Sequence, residues 1–284
     1  LVVNPIIGVT GLVGNILSAV VLVKSGLDKS SNILLLALAV ADSFCLMGSI
    51  NFPNLITLFS REISFMLYVL AITFQACYFF GVQVSAAICT LITVERLLAV
   101  FYPLHFKTIV TTTRIWMAAI FAFVFWIPYV VYISSLFNFI FMFLIQLGMV
   151  VGLISFTRTD AMIFIEFNLA TPFGKFIPFA VVTVGSILIA VRVAVTRRKR
   201  KEMMSSNLKA SAKSSRTTVT LLTVCAVFSL TKIVGFLVYI LDQSDASFDA
   251  QVVRNIFGIV VMTTDYINSS CNFVIYVALN KNFR

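Results

Sequence analysis

Twenty-four consecutive residues, Ala71–Val94, carry no charge, and the run then ends on an acid and a base side by side, Glu95-Arg96. An uncharged run of this length is what a helix needs to cross the hydrocarbon of a bilayer. Similar stretches recur at about 4–23, 32–52, 66–99, 115–132, 176–195, 217–241 and 255–278. Hydrophobic residues make up 60% of the chain and charged ones 11%, against about 45–50% and 25% in soluble domains. The sequence therefore predicts an all-α membrane protein, one domain over residues 1–284, with little besides its spans. It opens on Leu1 and stops at Arg284, just past a span, as a partial sequence would; targeting signals are not read from it.

The residues 137–156 are apolar enough to form an eighth span. Charge decides better than hydropathy here. Between Arg192 and Arg216 stand nine Lys/Arg against one acid, Glu202, and such a segment belongs on the cytoplasmic side. Seven spans put this basic loop, 196–216, on the same side as Lys24/Lys29 and Lys107/Arg114. Sixteen of the 21 Lys/Arg are then cytoplasmic, and the N-terminus is extracellular. Eight spans would separate them. The expectation is a seven-transmembrane helix bundle in which 137–156 is an apolar outer loop. The net charge of +10 then reflects topology and attraction to anionic lipid, not nucleic-acid binding.

Buried polar residues are the next signal, because charge inside a membrane is costly and usually functional. Asp42 lies about ten residues from either end of its span, too deep to reach water. Lys232 lies about 14 Å down the sixth span and Asp265 about 15 Å down the seventh, by helical rise. Opposite charges at one depth on consecutive helices predict an ion pair. Asn268, Asn272 and Tyr276 fall four apart, on one helical face. With Asp42 and Ser85 they offer oxygen ligands of the kind hard cations prefer. In the first span Gly8, Gly11 and Gly14 suit close helix packing, and Asn15 is suited to bonding across it. The five cysteines all fall in apolar segments, so no structural disulfide is expected. Nothing resembles a catalytic triad, a phosphate loop or a metal-binding Cys/His cluster; an enzyme is not expected.

Taken in order, five motifs resemble those of rhodopsin-like (class A) G-protein-coupled receptors. They are Gly14-Asn15, Leu38-Ala39-Val40-Ala41-Asp42, Glu95-Arg96-Leu97 where that family has Asp-Arg-Tyr, Pro103-Leu104, and Asn272-Phe273-Val274-Ile275-Tyr276 where it has Asn-Pro-x-x-Tyr. Lys281-Asn282-Phe283-Arg284 is similar to the start of the family's interfacial eighth helix. The resemblance implies a plasma-membrane receptor that passes binding of an extracellular peptide or small chemosensory molecule to a heterotrimeric G protein. It implies an inner switch of Glu95, Arg96, Leu104, Asn272 and Tyr276. It implies a ligand cavity lined by Tyr78, Val82, Gln83, Lys232 and Asp265, and a sodium and water site at Asp42, Ser85, Asn268 and Asn272. Beyond that ion, no cofactor is implied. Pro103–Thr108 and Phe176–Phe179 look most like invertebrate peptide-receptor-like and chemosensory receptors.

The chain also departs from the pattern. Ala71 stands where the family has a disulfide cysteine. Lys232 and Val234 stand where its sixth helix has Trp and Pro, after a matching Phe228. Phe273 replaces the proline of the seventh helix, and Ser186 a tyrosine of the fifth. Tyr266 falls at the retinal lysine and Tyr78 at the aspartate of amine receptors, which speaks against an opsin and against monoamines. Missing prolines mean missing kinks. Two rival expectations follow: a receptor that folds without signalling, and an ion- or proton-coupled transporter or channel using Asp42, Lys232 and Asp265.

Overall fold

The structure, a computed structural model, describes residues 3–50, 61–144, 149–157, 159–203, 209–242 and 249–279. Long helices dominate: α1 (Val3–Lys24), α2 (Ser30–Met47), α3 (Arg61–Phe101), α4 (Thr112–Ser135), α5 (Ile177–Met203), α6 (Lys209–Asp242) and α7 (Asp249–Leu279). Among the described residues six helical stretches are long and apolar enough to cross a membrane, from Val3–Lys24 to Thr220–Leu237. The helix α7 is not one of them. Its polar stripe lowers its hydropathy, because the side chains that line a bundle interior count against a lipid span.

The bundle is built around α2 and α3. Gly81 is the reason they approach so closely: a Cβ there would lie 2.1 Å from the backbone nitrogen of Cys45 and 2.7 Å from the carbonyl of Ala41. Only a residue without a side chain lets two backbones meet this way. Phe80 of α3 then bridges two helices, meeting Phe44 of α2 edge-on at 5.3 Å and Phe123 of α4 at 5.9 Å. Gly11 and Gly14 of α1 seat Ser270 and Phe273 of α7, as small residues do in membranes, where close packing replaces the hydrophobic effect. Large apolar side chains such as Phe121, Val131, Ile187 and Leu230 point outward, as lipid-facing residues should.

Four features differ from the sequence expectation. The residues 137–156 are a β-hairpin: β1 (Phe137–Leu144) pairs antiparallel with β2 (Met149–Phe156), Phe137 opposite Phe156 and Leu144 opposite Met149. Phenylalanine and β-branched residues favour strands, and the pairing satisfies the inward-facing backbone groups of both strands. Tyr68 of α3 anchors the hairpin by donating to the Phe137 carbonyl at 2.9 Å. Next, helix precedes α5 from Asp160, through two π-helical stretches, Glu166–Ala170 and Pro172–Phe176. Finally, α5 runs on to Met203 and α6 starts at Lys209, so most of the basic segment 196–216 is helical. It contains no Gly or Pro, and Lys and Arg are good helix formers. The helix α4 likewise continues through Pro128 to Ser135. The expected eighth helix at Lys281–Arg284 lies outside the described residues.

The π stretches change which side chains meet. Glu166 and Lys175 are nine residues apart, about two and a half α-helical turns, hence opposite faces. The wider i→i+5 winding brings them to one side, where Lys175 Nζ lies 3.0 Å from Glu166 Oε1. Tyr129 of α4 donates to the other Glu166 oxygen at 2.8 Å.

Candidate functional site

Halfway along the bundle, α3, α6 and α7 each contribute one polar side chain to a single cluster. Lys232 Nζ of α6 donates to Asp265 Oδ1 of α7 at 2.6 Å. Tyr78 Oη of α3 donates to the other carboxylate oxygen at 2.9 Å. The ion pair expected from depth alone is therefore present, and Tyr78 completes it. Gly48, just past α2, sets the tyrosine in place: a Cβ there would come within 2.4 Å of Tyr78 Cβ. The Tyr266 ring packs edge-on against Tyr78 at 5.6 Å, and Lys232 lies over the Phe228 ring at 5.7 Å. The side chains are 18% exposed for Lys232 and 7% for Asp265. At such burial an unpaired partner would be costly, which is why the pair forms.

A second cluster adjoins it. Asp42 of α2 is fully buried and accepts from Ser85 of α3 at 2.8 Å and from Asn272 of α7 at 2.6 Å. Asn15 of α1 donates to the Ser269 carbonyl at 3.2 Å. Between this cluster and the ion pair lies a small cavity, too tight for a water molecule, lined by Ser85, Asn268, Ser269, Val82, Lys232 and Asp265, among others. Asp42 and the Ser85 hydroxyl are oxygen donors of the kind a hard monovalent cation takes, while Asn272 presents its amide nitrogen to Asp42. Among the described residues there is no group of three or more His, Cys, Asp or Glu for a transition metal.

The third cluster closes the basic end of α3. Arg96 holds Glu95 with two nitrogens, Nη2 lying 2.7 Å from Oε1 and Nε on the other oxygen. Both residues also reach the start of α2: Ser30 donates to Glu95 Oε1 at 2.6 Å, and Arg96 Nη2 donates to the Ser31 hydroxyl. Glu95 is buried. A bidentate arginine–carboxylate contact is among the stronger polar interactions a protein makes. Neither serine was legible as part of the site; their place one residue into α2, beside a basic turn, is the only hint.

The remaining expected residues separate. Val82 lines the small cavity beside Lys232 and Asp265. Gln83 does not; it faces Gly174, where a Cβ would lie 2.0 Å from its Oε1. Asn268 lines the cavity, and Tyr276 is buried at the Asp42 end. Leu104 stands apart from all three clusters, 91% exposed. All five cysteines are free thiols within the helices.

A seven-helix order with a polar spine and a Glu-Arg pair closing the third helix defines a class of membrane receptors. The chain belongs to the 7 transmembrane receptor (rhodopsin family), whose family model matches residues 14–276. That is a family of receptors, not of enzymes; its members generally bind extracellular ligands and couple to G proteins. No individual curated protein matches the chain.

Proposed function

We propose that the protein is a plasma-membrane receptor, N-terminus outside, that passes binding of an extracellular peptide or small molecule to a heterotrimeric G protein. One observation carries this reading. The helix α3 bears Tyr78 of the Lys232–Asp265 cluster and, 17 residues on, the Glu95–Arg96 pair, about 26 Å away by helical rise. A ligand acting on the first cluster changes the balance of states, and the second opens on the side where a G protein docks. Arg96 is the inner switch, restrained by Glu95 and Ser31. Leu104, exposed and apart from the clusters, is assigned to contact with the G protein, and Asn272 and Tyr276 to linking the switch with Asp42.

A sodium ion, when bound, would supply a counter-charge for Asp42, held by Asp42, Ser85, Asn268 and Asn272. The chain's own contribution is to keep that carboxylate fixed between α2, α3 and α7. The test is G-protein activation in cells, basal and with a panel of peptides and small odorants, for the wild type and Arg96→Ala. Activation that disappears in Arg96→Ala is the expected result. Surface-expressed protein that activates nothing in either form overturns the reading in favour of a receptor that no longer signals.

A further inference from the structure

The outward side of α1 and α2 holds a groove that none of the three clusters uses. Near its start α1 is seated directly on α2: a Cβ on Gly8 would lie 1.6 Å from Ser49 Oγ, and one on Gly11 2.8 Å from Leu46 Cδ1. Further along, a groove of about 350 Å³ opens between the two helices, walled by Asn15, Ala19 and Val20 of α1 and by Ala39, Ser43 and Met47 of α2, among others. Ala19, Ala39 and Ser43 are too small to fill it. Val20 and Val40, which also line it, are 46% and 39% exposed, so in a membrane protein the groove opens to lipid. An apolar cavity of about 150 Å³ holds a six-carbon ring, and on that scale this groove has room for roughly 14 carbons.

The walls decide what chemistry suits it. Ser43 spends its hydroxyl proton on the Ala39 carbonyl at 2.7 Å. Asn15 is 1% exposed; its amide donates to the Ser269 carbonyl of α7, and its unpartnered side-chain oxygen is itself buried. No charge and no exposed donor therefore lines the groove, and a head group, a sterol hydroxyl or an ionic ligand would find no partner there. A hydrocarbon chain needs none. On a flat helix face a lipid tail touches protein on one side; here the walls of two helices multiply the dispersion contacts along it, which offsets the cost of ordering the chain. We propose that this groove is a single-chain lipid site, filled by one acyl tail of a bilayer phospholipid whose head group stays at the membrane surface. The residues of α2 that wall it flank Asp42 in sequence, so the tail braces the helix that carries this carboxylate.

The experiment is photolabelling of the purified full chain in phosphatidylcholine nanodiscs. A trace of the lipid carries a diazirine midway along one tail, and the adducts are mapped by mass spectrometry. They should concentrate at 15–20 and 39–47, several-fold above other lipid-facing positions such as Phe121, Val131 and Ile187. In Ala19→Leu/Ser43→Leu, which fills the groove, the excess should fall to the level of those positions while their own labelling stays unchanged. The proposal is overturned if wild-type adducts spread evenly over the lipid face, or if the filled variant keeps the excess. It is also overturned if cholesterol in the disc removes the excess, which gives the groove to a sterol. An unlabelled groove in discs holding two chains gives it to a second copy and overturns the proposal as well. The wild-type map decides even where the variant fails to accumulate. No agonist or G protein takes part, so the outcome is independent of the signalling reading.

Discussion

Two ion pairs of this bundle differ in what they join. Lys232 and Asp265 are 33 residues apart and tie α6 to α7, with Tyr78 adding α3. Glu95 and Arg96 are neighbours on α3, and their outside contacts are the hydroxyls of Ser30 and Ser31 at the start of α2. The first pair holds separate helices in register; the second holds a side chain in one orientation. A pair between helices is therefore a stability element whose loss loosens the bundle. A pair within one helix can open without unfolding anything, as a switch requires.

The sharpest way to break this contrast is to remove one partner of each. Lys232→Met strands the buried Asp265 and should cost about 3–5 kcal/mol, read as a lower unfolding temperature and reduced surface expression. Removing both charges, in Lys232→Met/Asp265→Leu, should restore much of the loss; a double variant no better than the single would show that the pair is not the cause. Gly48→Ala should have the next largest effect. It pushes Tyr78 away from Asp265, at about 1–3 kcal/mol for overpacking, and the loss should shrink when Tyr78→Phe is already present. Arg96→Ala should cost less stability, about 1–2 kcal/mol, because the pair it breaks lies within one helix and reaches α2 only through serine hydroxyls, yet it should abolish G-protein activation. Equal losses of stability at Arg96 and Lys232 would erase the distinction. Ser30→Ala should be the mildest, about 1 kcal/mol or less, and it should raise basal activation slightly by freeing Glu95.

Much of this was legible because the membrane makes charge expensive. Depth along a helix was enough to pair Lys232 with Asp265, and helical spacing put Asn268, Asn272 and Tyr276 on one stripe. Contacts set by packing left no such trace. Nothing in the sequence marks Gly48 as the seat of Tyr78, or turns Gln83 away from Lys232 and toward Gly174. Ser30 and Ser31 read as loop residues because hydroxyls are common there. The hairpin was hidden for a different reason: an apolar run shows its period only when polar residues interrupt it, and 137–156 has almost none. The π winding before α5 was hidden as well, since sequence spacing alone puts Glu166 and Lys175 on opposite faces.

The hairpin also bears on how the chain is made. A stretch of twenty residues, Phe137–Phe156, without a charge must pass the insertion machinery without being retained as a helix, and then fold back on itself. Hydropathy favours retention; the nine positive charges between Arg192 and Arg216 oppose it, since they would have to cross the membrane if the hairpin lodged there. With the N-terminus outside, as proposed, the basic segment would act at a distance, during synthesis, as a guard on the orientation of everything after α4. Neutralising it should yield a fraction of chains with α5, α6 and α7 inverted, visible as a second pattern of protease protection.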